Sequence, residues 1–200
     1  MNELFTIGYS SHSLDSFLGI LKKYQISALA DVRSSPYSQY KPDFNQETLK
    51  DFLKAHNIAY VFLGDYCGAR VEDPSCYVNG KVDYGLVAES QKFKEGLERI
   101  KKGMAKFRIS LMCAEKDPIT CHRTILICRN LHSTGIKIKH ILGSGKVEEH
   151  KDSEHRLMQL FNLNHTDLLR SEQQRLDDAY MRQGKKIAYE MAEPTNEHRG

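Results

Sequence analysis

Between residues 109 and 123 the chain carries Cys113, Glu115, Cys121, His122 and Arg123. Packing alone does not require that mixture. An apolar run ends at Cys113, a short polar loop follows, and a helix is expected to open near Cys121. Open α/β proteins set their ligand sites where parallel strands end and the following helices begin. The corner offers two chemistries. In the first, Cys121 is a nucleophile: nearby positive charge and a helix start lower a thiol pKa, and the thiolate is the reactive form. His122 is then the base or charge partner and Cys113 a second, resolving thiol. The enzyme classes this implies are thiol-dependent transferase and hydrolase. In the second, Cys113, Glu115, Cys121 and His122 give S, O, S and N ligands to a transition metal such as zinc or iron. No C-x-x-C pair reinforces the metal reading. Cys128 reads as core, and Cys67 and Cys76 as ordinary loop cysteines.

An anionic substrate needs fixed cations. Arg33 and Arg123 both fall at expected strand or helix ends, where a guanidinium holds a phosphate or carboxylate bidentately. Asp31 is placed to orient Arg33, although it and Glu115 equally suit plain ion pairs. Tyr9 and Ser10 follow the first strand, and Ser38 lies in the loop after the second. Tyr37, Tyr40 and Lys41 in that loop are of types that stack on a base or ring. His150, Glu154 and Arg156 come after the fifth strand and are expected either to close over the site or to be a charged helix start. The substrate class is therefore phosphate-, carboxylate- or nucleotide-like. A third reading, from another class, is a nucleic-acid- or protein-binding module with structural cysteines. A net charge of +3 permits an acidic partner without demanding one. Gly143-Ser-Gly-Lys146 lacks the spacing of a phosphate loop and reads as a turn.

Apolar runs at residues 4–9, 26–32, 58–63, 107–112 and 136–142 predict five strands. Helical periodicity lies between them. Ser13 is expected to cap a helix carrying Phe17, Leu18, Leu21 and Tyr24 inward. Asn45 is expected to cap one carrying Leu49, Phe52 and Leu53. Residues 83–102 and 120–133 read as single helices, the latter closed by Gly135. Residues 64–81 read as an irregular loop. Alternation of this kind predicts a three-layer, Rossmann-like or flavodoxin-like α/β fold. Its five-stranded, mostly parallel sheet is flanked by helices and collects the strand ends on one edge. Residues 1–146 form the expected α/β domain. Residues 147–191 form a charged helical extension, and 192–200 a disordered tail. No apolar run approaches a membrane span. No signal peptide is visible, and five cysteines in a chain of this size suit reduced thiols, so the expected location is cytoplasmic.

Several of these segments occur together in one known family. Thr6-Ile-Gly-Tyr-Ser10, Asp31-Val-Arg33 with Pro36 and Ser38, Met112-Cys-Ala-Glu115, Cys121-His-Arg123 and His150-x-x-Ser-Glu-x-Arg-Leu157 resemble, in order, the prokaryotic domain-of-unknown-function family 488. Lys186-Ile-Ala-Tyr189 resembles its longer members. The chain departs from the family at Leu63-Gly-Asp-Tyr-Cys-Gly68, where the family usually carries Leu-Gly-Gly. The resemblance implies no established activity. It draws attention to Asp31, Arg33, Cys113, Glu115, Cys121, His122 and Arg123. A looser likeness links the strand ending in Asp-Val-Arg and the later strand–Cys–loop–helix to the rhodanese fold. The spacing from Cys113 to Arg123 is not that of a rhodanese or Cys-phosphatase loop.

Overall fold

The computed structural model describes residues 3–165 and 169–191. Along the chain run β1 (Glu3–Gly8), α1 (Leu14–Lys23), β2 (Ala28–Asp31), α2 (Gln46–Ala55), β3 (Ala59–Phe62), α3 (Gly64–Cys67) and a short hairpin of β4 (Tyr77–Val78) and β5 (Lys81–Val82). Then come α4 (Tyr84–Glu89), α5 (Gln91–Met104), β6 (Ile109–Cys113), a π-helical stretch Arg123–Cys128 continued by α6 (Arg129–His132), β7 (Lys137–Ile141), β8 (Val147–Glu149), α7 (His150–Leu160) and α8 (Glu172–Ile187). The main sheet has the order β3-β2-β6-β1-β7-β8. Its first five members are parallel; β8 pairs antiparallel to β7.

Successive β-residues point to opposite faces, and β1 shows it. Leu4 packs into the core beneath α5 and the helix after Cys121. Phe5 and Ile7 pack beneath α1 and α2 with Phe17, Leu21, Leu49 and Leu53. A third cluster joins α7 and α8 through Leu157, Met158, Ala179 and Tyr180 to Ile119 and Ile125. The architecture is thus a three-layer α/β fold with a C-terminal helical addition.

The differences from expectation are local. The sheet has a sixth strand. Leu142 and Lys146 close a turn, with the Leu142 amide donating to the Lys146 carbonyl at 2.9 Å and Gly145 at φ +73. Val147–Glu149, read as the start of the helical extension, therefore folds back along β7. Its charges suit an exposed edge. Residues 83–102 are two helices, because Ser90 is extended (φ −66, ψ 143) and its hydroxyl accepts from the Phe93 amide at the start of α5. Asn45 stands at the start of α2 without capping it; its Oδ1 accepts from the Ser38 amide at 2.7 Å instead and ties down the loop after β2. Ser13 caps α1, and Gly135 takes the positive φ of a helix stop. The tail at 192–200 lies outside the described residues. No helix among the described residues is long and apolar enough to cross a membrane.

Candidate functional site

β6 lies between β1 and β2, so its C-terminal end opens at the middle of the sheet edge. After Cys113 the chain must turn under β1, and Gly8 permits this. A Cβ on Gly8 would collide with the Glu115 carbonyl. The loop then folds back through a 3-10 turn, Pro118–Thr120, for which Asp117 Oδ1 accepts from the Ile119 amide. Cys121 is extended, His122 turns into the helix, and the first helical turns are π-helical. Such widened turns recur at functional sites. The result brings Cys121 back against Cys113.

His122 Nδ1 lies 3.7 Å from Cys113 Sγ and 3.8 Å from Cys121 Sγ. The three ligating atoms are all within 4.8 Å of one another. The other imidazole nitrogen, Nε2, donates to the Val32 carbonyl at 3.0 Å, which leaves Nδ1 to face the sulfurs. Glu115 touches the trio from one side: its Oε2 accepts from Cys121 Sγ at 2.9 Å. Beneath lies Arg123, fully buried. Its Nη1 donates to the Glu115 carbonyl at 2.6 Å and its Nε to Thr6 Oγ1 at 3.4 Å.

These contacts set the charges. Burial pushes the Cys121 thiol up, but the hydrogen bond from Cys113 and the charges of Arg123 and His122 outweigh it and hold Cys121 well below an ordinary thiol. Cys113 is driven well above, by its bond to Cys121 and then by burial. Burial and the neighbouring Cys121 charge raise Glu115. Burial opposes the charging of His122, yet Cys121 and Glu115 lift it above its usual value. The anionic character of the cluster thus gathers on Cys121, over Arg123.

A cleft of about 620 Å³ adjoins the cluster, lined by Tyr9, Arg33, Ser38, Cys113, Glu115 and His122. Asp31 grips one edge of Arg33, with Nε–Oδ1 at 2.9 Å and Nη2–Oδ2 at 2.6 Å; Nη2 also donates to the Phe44 carbonyl at 2.8 Å. Tyr60 donates to Asp31 Oδ2 at 2.7 Å. The Tyr9 ring lies 5.0 Å from the guanidinium. Arg33 Nη1 is buried with no partner among the described residues.

The sequence-predicted residues therefore divide. Tyr9, Arg33, Ser38, Cys113, Glu115 and His122 meet at the cleft, with Asp31 behind Arg33. Cys121 is buried behind Cys113 and is not part of the lining. Arg123 does not reach the cleft either; its donors point inward. Ser10 is exposed and outside the lining, its amide bonded to the Ala114 carbonyl. Lys41 is committed to the His12 carbonyl at 2.9 Å. His150, Glu154 and Arg156 do not close over the cleft. Glu154 lines a different cavity, His150 is buried, and Arg156 pairs with Asp117 of the loop after Glu115 and with Glu148 of β8, both at 2.8 Å.

Sequence reasoning missed Arg70, Ile187 and Tyr189 in the cleft wall. The Tyr189 carbonyl accepts from the Val82 amide, which ties the segment after α8 to the β4–β5 hairpin beside the cleft; no periodicity announces such a return. It also missed Thr6 and His140. Their signal was a hydroxyl and an imidazole standing within apolar strand runs.

No curated protein and no solved structure matches the chain. The family model described as "Domain of unknown function DUF488" matches residues 13–129. That span runs from the start of α1 through the Cys113–Arg123 corner. The chain belongs to this DUF488 family.

Proposed function

We propose a metal-dependent enzyme in which Cys113, Cys121 and His122 hold the ion and Arg33 fixes an anionic substrate in the adjoining cleft. The observation that carries this reading is the disposition of His122. A ligating histidine characteristically donates its second ring N–H to a carbonyl or carboxylate, which fixes the tautomer and aims the free nitrogen. Val32 accepts that bond here. A sulfur at about 2.3 Å and a nitrogen at about 2.1 Å from one tetrahedral ion are about 3.6 Å apart; the two spacings are 3.7 and 3.8 Å. Two thiolates and one imidazole make a three-ligand set of the kind that leaves a fourth position open for chemistry.

A bound zinc- or iron-class ion supplies a Lewis acid beside the cleft. The chain's own residues do the rest. Glu115 stands at the cleft wall beside the thiols, its carboxyl raised by burial and by Cys121, and is placed to hold and pass a proton. Arg33, with one edge clamped by Asp31 and its plane set against Tyr9, offers Nη1 to a phosphate or carboxylate oxygen. Arg123 offsets the negative charge of the cysteines. The reaction class that fits is hydrolysis of a small phosphate-, carboxylate- or nucleotide-like substrate.

A second reading keeps the thiols themselves as the reactive groups, favoured by the low pKa of Cys121. Against it, Cys121 is buried behind Cys113, and the thiol that does reach the cleft is the one that retains its proton. Elemental mass spectrometry separates the two on protein purified without chelator. The metal reading expects a metal equivalent that is lost in Cys113→Ser/Cys121→Ser. Equal metal content in both proteins contradicts it and leaves thiol chemistry.

A further inference from the structure

Across the sheet from α1 and α2, a second set of ligating side chains converges. His132 ends α6, while His150 and Glu154 lie one turn apart on α7. Glu154 Oε1 stands 3.5 Å from His150 Nε2 and 3.7 Å from His132 Nδ1. All three ligating atoms lie within 4.8 Å of one another. These spacings are too long for hydrogen bonds, which run to about 3.2 Å. They match the separation of about 3.4 Å between nitrogen and oxygen ligands bound at about 2.1 Å around a tetrahedral ion. Tyr180 Oη, 3.0 Å from Glu154 Oε1 and 3.2 Å from His150 Nε2, adds a further oxygen.

The support behind the cluster is also that of a ligand shell. His150 Nδ1 lies 2.9 Å from His140 Nε2, and His140 Nδ1 lies 2.8 Å from Thr6 Oγ1. In one tautomeric arrangement each imidazole donates inward from Nδ1, which leaves His150 Nε2 with a lone pair toward Glu154. Access exists: a cavity of about 910 Å³ is lined by His132, Glu154 and Tyr180.

We propose that His132, His150 and Glu154 form a second metal site, for a borderline divalent cation such as zinc(II), cobalt(II) or iron(II). Imidazole and carboxylate donors select this class over soft, thiolate-seeking ions. The site shares no residue with the cysteine cluster and does not depend on it.

The test is a cobalt(II) titration of the full-length, metal-stripped protein, read by visible absorption and by equivalents bound. Cobalt at the cysteines carries a sulfur charge-transfer band; cobalt on imidazole and carboxylate does not. The proposal expects an equivalent without the sulfur band, retained in Cys113→Ser/Cys121→Ser. His132→Ala and Glu154→Gln should each weaken that equivalent at least about tenfold while leaving any sulfur band unchanged. His132 is partly exposed at a helix end, so its variant tests the site with little risk to the fold. Uptake that is the same in wild type and both variants overturns the proposal. A sulfur-free equivalent without any sulfur band supports it and contradicts the cysteine centre.

Discussion

Side chains that look unrelated in the sequence have one physical job each around Cys113. In Thr6-Ile-Gly-Tyr-Ser10, Thr6 links Arg123 to His140, Gly8 makes room for the Glu115 carbonyl, and Tyr9 stacks beside Arg33. Gly8→Ala should therefore displace the loop that carries Glu115 and destabilise by about 1–3 kcal/mol, as overpacking does; an unchanged denaturant midpoint would contradict the close approach. Arg33→Lys keeps the charge but loses the planar fork between Asp31 and the substrate. It should raise KM for an anionic substrate about tenfold or more with little change in kcat, whereas an equal fall in kcat would place Arg33 in the chemistry rather than in binding. Thiol reactivity is a third check. Burial pushes Cys67 up to about 12 and Cys128 higher still, so both should resist alkylation in the native protein at neutral pH. Mass mapping of modified peptides reads this directly. At this scale Cys113, Cys121 and His122 were legible as candidates because thiols and an imidazole flank a loop that packing does not explain; that the two thiols meet was not, since it depends on how the loop at residues 115–120 folds back. Arg123 was legible as a cation but not as an inward one, since only the folded loop puts the Glu115 carbonyl over its Nη1.

The elements explain why spacing along the chain misleads. Cys113 and Cys121 are eight residues apart, and a plain helix beginning at residue 120 would carry Cys121 away from the strand end. The 3-10 turn Pro118–Thr120 and the π-helical stretch Arg123–Cys128 instead wind the chain back and then widen it. Neither has a sequence period that separates it from an ordinary helix start. The five parallel strands were legible, because each is an apolar run bounded by polar turns. β8 was not: three residues, two of them glutamates, carry no alternating pattern, and only the turn at Gly145 reveals the reversal. The break between α4 and α5 rests on Ser90. Ser90→Ala removes an N-cap bond to Phe93 and should cost about 1 kcal/mol, measured by chemical denaturation; no loss would show that α5 is held by packing of Phe93, Leu97 and Ile100 alone.

For the whole molecule, the buried histidines couple stability to pH. Burial, and after it the neighbouring charge of His132, lower His150 to about 3; burial and then the charge of His150 also hold His140 well below its ordinary value. In the unfolded chain each takes a proton near about 6.5. Below that pH the unfolded state binds more protons than the native one, so stability is full above about 6.5 and falls as pH drops toward about 3. The slope is about 1.4 kcal/mol per pH unit for each histidine that stays neutral. Metal-free protein should thus lose about 1–3 kcal/mol between about pH 7.5 and about pH 5.5. A flat profile from denaturant melts would contradict the burial of this pair. The parallel sheet makes both clusters possible, since β6 ends in Cys113 opposite Gly8 of β1, while Thr6 of β1 stands opposite His140 of β7.

In the proposed centre two sulfurs and one imidazole nitrogen share an ion. X-ray absorption at the metal edge of the purified protein tests it most directly. Sulfur scatterers are expected at about 2.3 Å together with nitrogen or oxygen at about 2.0–2.1 Å, with the sulfur shell lost in Cys113→Ser/Cys121→Ser. A spectrum fitted by nitrogen and oxygen alone, or protein that takes up no metal, would contradict it.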